Sequence, residues 1–122
     1  MTDARFNDQW AAGFFQGESC IGLYPNGRRC YSPKLEIAQN SPETLRIVQR
    51  LYGGHVNQTT EREHRWTTRA KQNVHLTLLQ VRPYLAGDKR IQADLLIQYL
   101  AGHAAGEDIA AALKKAKRPW LT

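Results

Sequence analysis

The chain has 122 residues, 42% of them apolar, enough for one hydrophobic core and too few for two ordinary ones, so residues 1–122 are expected to form a single domain. Seventeen Lys and Arg against eleven Asp and Glu leave a formal charge of +6, which points to a polyanionic partner, nucleic acid first. No apolar run approaches the ~18–20 residues of a membrane-spanning helix and no apolar leader follows Met1, so a soluble cytoplasmic or nucleoid-associated protein is expected, with an organelle as the alternative and secretion excluded.

Cys20 and Cys30 flank the turn signal Pro25, Asn26, Gly27, but an intracellular chain gives little reason to expect a disulfide there. His55, His64, His75 and His103 show no spacing that combines with these cysteines into a zinc site.

In chain order, Asn7 or Asp8 can cap a short helix over 8–16, which Gly17 is expected to stop, leaving Glu18 at the exit. Residues 19–24 read as a strand, 25–29 as a turn and 30–39 as a second strand, with Leu35 and Ile37 on an apolar face and Lys34 and Glu36 on a polar one. Pro42 after Ser41 opens a helix carrying Leu45, Val48, Leu51 and Tyr52, which Gly53 and Gly54 end. Residues 55–59 and 65–71 form a looser second hairpin around the polar stretch 60–64. Asn73 is then expected to cap a helix carrying Val74, Leu78 and Val81 up to Pro83. Asp88 opens another with Ile91, Leu95 and Tyr99, ending near Gly102, and 107–117 forms the last.

The order predicts an α+β fold, αββαββα, in which two helix-plus-hairpin units share one antiparallel four-stranded sheet covered by helices on one face. The other face would be polar and basic, and an open polar face on a basic protein calls for a partner.

The stretch Ala11, Ala12, Gly13, Phe14, Phe15, Gln16, Gly17, Glu18, Ser19 resembles the motif that names the LAGLIDADG homing endonucleases, with Gly13, Gly17 and the acidic Glu18 at matching positions. Gln16 stands where the motif usually has Asp, and Ser19 where it usually has Gly. Three later segments are similar in the same order: Leu35 to Asn40, Leu51 to Gly54, and Val81 to Leu85 followed by Lys89 to Ala93. Together they cover roughly residues 8–100.

Two glycines four apart share one helical face, and each costs ~1 kcal/mol of helix stability relative to Ala, which close approach of a second helix can offset. With one motif per chain, the resemblance implies a homodimer through Trp10, Ala12, Gly13, Gln16 and Gly17. The competing reading has Gly13 packed on its own sheet while Gly17 merely ends the helix. An acid at a helix C-terminus is disfavoured by ~0.3–1 kcal/mol, which a cation reverses. The resemblance therefore implies Glu18 and its symmetry mate as ligands of Mg²⁺, with hydrolysis of phosphodiester bonds in double-stranded DNA. It further implies Gln39 as a residue ordering water at the site and Lys89, or by a register shift Arg90, as a basic residue at the scissile phosphate.

A two-stranded ribbon fits the major groove, and strand alternation together with the resemblance nominates Ser32, Lys34, Glu36, His55, Asn57, Thr59, Arg65, Thr67 and Arg69 as DNA contacts. Tyr24, Asn26, Arg28 and Arg29 at the first turn add contacts farther out, and Lys114, Lys115, Lys117 and Arg118 suit phosphates. A twofold dimer implies a long, near-palindromic target, and the resemblance implies an intron- or intein-associated gene. The alternatives are a non-cutting DNA-binding regulator or RNA maturase on the same scaffold, and a small basic protein binding RNA by charge alone.

Overall fold

The computed structural model describes residues 4–27 and 30–117. The chain runs α1 (Asp8–Glu18), β1 (Ser19–Pro25), β2 (Tyr31–Gln39), α2 (Pro42–Tyr52), β3 (His55–Gln58), β4 (His64–Thr68), α3 (Lys71–Val81), a 3₁₀ turn (Arg82–Tyr84), α4 (Gly87–Leu100) and α5 (Gly106–Lys117). The expected α+β order is found. All pairings are antiparallel and the sheet order is β1-β2-β4-β3, so the two hairpins join through their second strands.

Alternation divides the sheet into two faces. Ile21 and Leu23 of β1, Leu35 and Ile37 of β2 and Trp66 of β4 are buried and join Phe15, Leu45, Val48, Val74, Leu78 and Leu96 from the helices in one core. Phe15 meets Trp66 and Tyr52 edge-on, with ring centroids 5.7 and 6.2 Å apart. The Trp66 indole N–H donates to the Gly53 carbonyl at 2.7 Å, so the largest core side chain leaves no donor unpaired. Gly54 lies beside it at φ +88°, and a Cβ there would come within 2.7 Å of the indole nitrogen and 2.9 Å of the Thr67 carbonyl, so both backbone and space demand glycine.

Four expectations need correction. Gly17 does not stop α1, which continues through Glu18. Ser19 ends it in an extended conformation (φ −87°, ψ 152°), and its hydroxyl donates to the Phe15 carbonyl as β1 begins. Asn73 is no cap: α3 starts after Ala70, and the Asn73 amide donates to the Thr68 hydroxyl at 2.8 Å, tying the helix to the end of β4. Likewise α4 starts after Ala86, one residue ahead of Asp88. Its buried face is Gln92, Ala93 and Leu96, while Ile91 is 52% exposed and Leu95 and Tyr99 are half-buried.

The second hairpin is shorter than expected. Its turn closes with the Thr59 N–H on the Glu63 carbonyl at 2.9 Å, which leaves Thr59 beyond β3 and Arg69 beyond β4. Cys20 and Cys30 are both free thiols. Among the described residues no helix is long and apolar enough to cross a membrane.

Candidate functional site

The Asn7 side chain accepts the Trp10 N–H at 3.0 Å and caps α1, whose last turn carries no basic residue. Ala11, Ala12 and Phe15 face inward. Ala12 is 2% exposed, so of the residues assigned to a dimer contact this one lies in the chain's own core and cannot reach a second copy. Trp10 is half-buried, edge-on between Phe6 and Phe14 at 5.0 and 4.9 Å. Gly13 and Gly17 are exposed, and a Cβ added at either meets nothing within 4 Å. Gly13 therefore does not pack on its own sheet, and the chain's own described residues give no use for either missing side chain.

Gln16, in the place of the motif's Asp, is held by two hydrogen bonds to one residue. Its Nε2 donates to the Ala86 carbonyl at 3.0 Å and its Oε1 accepts the Ala86 N–H at 2.9 Å. Ala86 is the residue from which α4 starts, so this amide fixes the beginning of α4 against the end of α1. The consequence is local. Within the first turn of α4, the Lys89 ammonium donates to the carbonyl of Ser19, the residue after Glu18. Burial pulls Lys89 below its usual pKa; Cys20 opposes this and the Lys117 ammonium adds to it. Arg90 points elsewhere, into an ion pair with Asp94 (3.6 Å) that Arg82 shares. Lys89, of the two register alternatives, reaches the α1–β1 junction.

Ser19 pairs with Ile37, so β2 overshoots β1 and its last residue, Gln39, lies at the sheet end where α1 passes into β1. Glu18, Lys89 and Gln39 thus gather at one end of the sheet. Glu18 is exposed. Among the described residues no three His, Cys, Asp or Glu side chains cluster as a metal site.

The face opposite the core bears Cys20, Gly22 and Tyr24 of β1, paired across to Glu36, Lys34 and Ser32 of β2. Glu36 and Ala38 pair with Thr67 and Arg65 of β4, which in turn pair with His55 and Asn57 of β3. Alternation therefore puts Ser32, Lys34, Glu36, His55, Asn57, Arg65 and Thr67 on one surface. Asn26 continues it, donating to the Ser32 hydroxyl at 2.8 Å, and the Lys34 ammonium lies 5.2 Å from the Tyr24 ring centre. Thr59 is engaged in its own turn, its hydroxyl on the Glu63 carboxylate at 2.6 Å. Two open grooves of about 430 and 630 Å³ cross this surface, the first lined by Tyr24, Asn26 and Lys34, the second by His55, Asn57 and Thr67, and Arg69 lines both. Arg28, Arg29 and Arg118 lie outside the described residues.

Lys114, Lys115 and Lys117 stand in the last turn of α5, which packs along β1, with the Lys117 ammonium 3.9 Å from the Cys20 sulfur. The sequence points to Cys20 only as a disulfide candidate, not as a residue of this face, and does not point to Glu63. Extending the alternation of β1 back from Tyr24 through Gly22 places Cys20 on this face. Glu63 is recognisable only through its partners.

No protein-family model and no curated protein matches the sequence. Solved structures do match. I-CvuI, a homing endonuclease solved in complex with a DNA target, superposes with a TM-score of 0.77 at 21% identity, over 89% of this chain and 80% of its own. I-Vdi141I, an archaeal intron-encoded homing endonuclease complexed with DNA, gives 0.75 at 16% identity, over 93% and 86%. The chain has the LAGLIDADG homing endonuclease fold. I-AabMI, a LAGLIDADG meganuclease bound to uncleaved DNA, shares it at a TM-score of 0.70 and 14% identity, over 78% of this chain but 36% of its own.

Proposed function

We propose that the protein is a homodimeric, site-specific endonuclease of double-stranded DNA, each copy one domain, with α1 at the twofold axis. The observation that carries this is the uncovered glycine face of α1 leading directly to Glu18, with Lys89 drawn onto the same junction. Among the described residues nothing meets a Cβ at Gly13 or Gly17, and a second α1 crossing there offsets their cost of ~1 kcal/mol each. The same crossing brings two Glu18 side chains together.

A divalent cation such as Mg²⁺ prefers about six oxygen ligands, which one Glu18 cannot supply and which two, with water and DNA phosphate, can. The donor set fits a hard cation on that condition, and structures of I-CvuI on DNA were obtained with Mg²⁺ and with Ca²⁺. Such an ion, when bound, supplies the acidity that activates water and stabilises a leaving oxygen. Glu18 holds it. Lys89, anchored by the Ser19 carbonyl, presents an ammonium of lowered pKa to the scissile phosphate. Gln39, at the end of β2, orders solvent beside it. The open sheet face reads the major groove, and the lysines of α5 meet phosphates.

Selection of bound duplexes from a randomised double-stranded pool, with the complex mass measured in parallel, tests the assembly. Two chains on a long, near-palindromic site support it. Selection of a site without cleavage supports a regulator on the same scaffold, and preference for RNA supports a maturase.

A further inference from the structure

The centre of the open sheet face is electrically balanced although the chain carries +6. Glu36 accepts from Arg65 Nη1 at 2.9 Å and from the Thr67 hydroxyl at 3.4 Å, with the Lys34 ammonium at 3.7 Å. Arg65 Nε donates to Glu63 at 3.2 Å, and Glu63 also accepts from the Thr59 hydroxyl. Two cations face two carboxylates. A patch built to grip phosphate leaves its cations unneutralised, because affinity for the backbone comes from counterion release. Here the charge is cancelled before any DNA arrives.

The geometry adds direction. Arg65 stands opposite Ala38, whose methyl leaves room for the guanidinium to lie diagonally across β2 toward Glu36. Held on one edge by Glu63 and at one terminal nitrogen by Glu36, it has no partner among the described residues for the remaining Nη1 hydrogen or for either Nη2 hydrogen. Those are the donors a guanine edge accepts through O6 and N7, and a guanidinium already fixed loses less rotamer freedom on contact.

We infer that Arg65 is a preset guanine-reading residue, and that Glu36 and Glu63 are its positioning residues and not independent base contacts. This rests on the sheet face meeting double-stranded DNA. Glu36 is engaged by two hydrogen-bond donors, Arg65 and Thr67, and by the Lys34 ion pair, which leaves less of it for cytosine. The patch therefore sets base preference, while the cations around it set affinity.

The test compares wild type, Arg65→Ala, Arg65→Lys and Glu36→Gln by selection from a randomised duplex pool and by the salt dependence of binding to the selected site. Wild type is expected to show guanine at one position of each half-site. Arg65→Ala loses that preference by about 5- to 160-fold, the span of one bidentate contact, with other positions and the salt slope unchanged. Arg65→Lys keeps a charge but lacks the fork and does not restore the preference. Glu36→Gln weakens the same preference and steepens the salt slope by about one phosphate contact, because Arg65 is released to the backbone. Melting curves confirm that each variant folds.

Wild-type selection of a site whose base frequencies Arg65→Ala leaves unchanged overturns the inference and spares the DNA reading. Loss of salt dependence in Arg65→Ala also overturns it, by making Arg65 a phosphate contact. Failure of wild type to select any duplex overturns both.

Discussion

Lys89 of α4 hydrogen-bonds the backbone carbonyl of Ser19, the residue after Glu18, so two segments 70 positions apart in sequence meet at the end of α1. The ammonium is held there against the cost of burial, which is why its pKa is lowered. Perturbed groups of this kind cluster at functional sites. Lys89→Met is expected to reduce DNA cleavage by roughly 10²-fold or more, as loss of a preorganised donor does, with DNA binding retained. Removing a partly desolvated charge leaves the melting temperature equal or higher. Single-turnover cleavage and thermal melts check both halves; a variant that melts lower and cuts normally assigns Lys89 to the fold.

Gln16 reaches Ala86 by two exposed hydrogen bonds, and through Ala86 it sets where α4 begins. Gln16→Ala is expected to cost about 1 kcal/mol of stability, since exposed hydrogen bonds are worth ~0.5–1.5 kcal/mol net. Cleavage should fall several-fold with little change in affinity, because Lys89 loses its fixed origin. Titration of binding beside single-turnover rates separates the two.

The glycines of α1 give a prediction of sign. No atom of the chain's described residues lies within 4 Å of a Cβ at Gly13, so in an isolated chain Gly13→Ala should stabilise α1 by up to ~1 kcal/mol. In a dimer the added carbon meets a neighbouring helix. Sedimentation equilibrium of Gly13→Leu is expected to show single chains where wild type shows pairs, with folding intact by circular dichroism.

Tyr52 and Tyr24 set an alkaline limit. Burial, then the Asp8 hydrogen bond at 2.6 Å, raises Tyr52 above its ordinary value, and burial followed by the Cys20 contact pushes Tyr24 up to about 12. A raised folded pKa means stability fully present below about 10, where both phenols are protonated folded or unfolded, and lost as pH rises through the folded values. Melting temperatures should therefore fall between pH 10 and about 12. Tyr52→Phe is expected to melt lower at neutral pH, where its hydrogen bond is lost, and to decline less steeply above pH 10.

Much of the fold is legible from local pattern. Leu35 and Ile37 alternate with Lys34 and Glu36, Pro42 opens α2, and Gly53, at φ +75°, closes it. The boundaries that differ depend on contacts local pattern does not carry. Gly17 has the composition of a helix stop, but the transition is made by the Ser19 hydroxyl and the pairing of β1 with β2. In α4 hydrophobicity points to Ile91, whereas the closely packed side belongs to Gln92 and Ala93, chosen by the space under the helix.

The site divides the same way. Glu18, Gln39 and Lys89 are nominated by resemblance, but Lys89 is distinguished from Arg90 only by the hydrogen bond to Ser19 and the ion pair that occupies Arg90. The Arg65–Glu36 contact depends on the register of β2 against β4. That register is fixed by burial of Ile37 and Trp66, not by any spacing along the chain.

The most direct measurement is cleavage of a selected duplex by wild type and by Glu18→Gln, each with Mg²⁺ and with EDTA, read by sequencing the new ends. The account predicts a double-strand break near the centre of the near-palindromic site with wild type and Mg²⁺, and none in the other three reactions. Equal cleavage by Glu18→Gln, or the same break in EDTA, would contradict it.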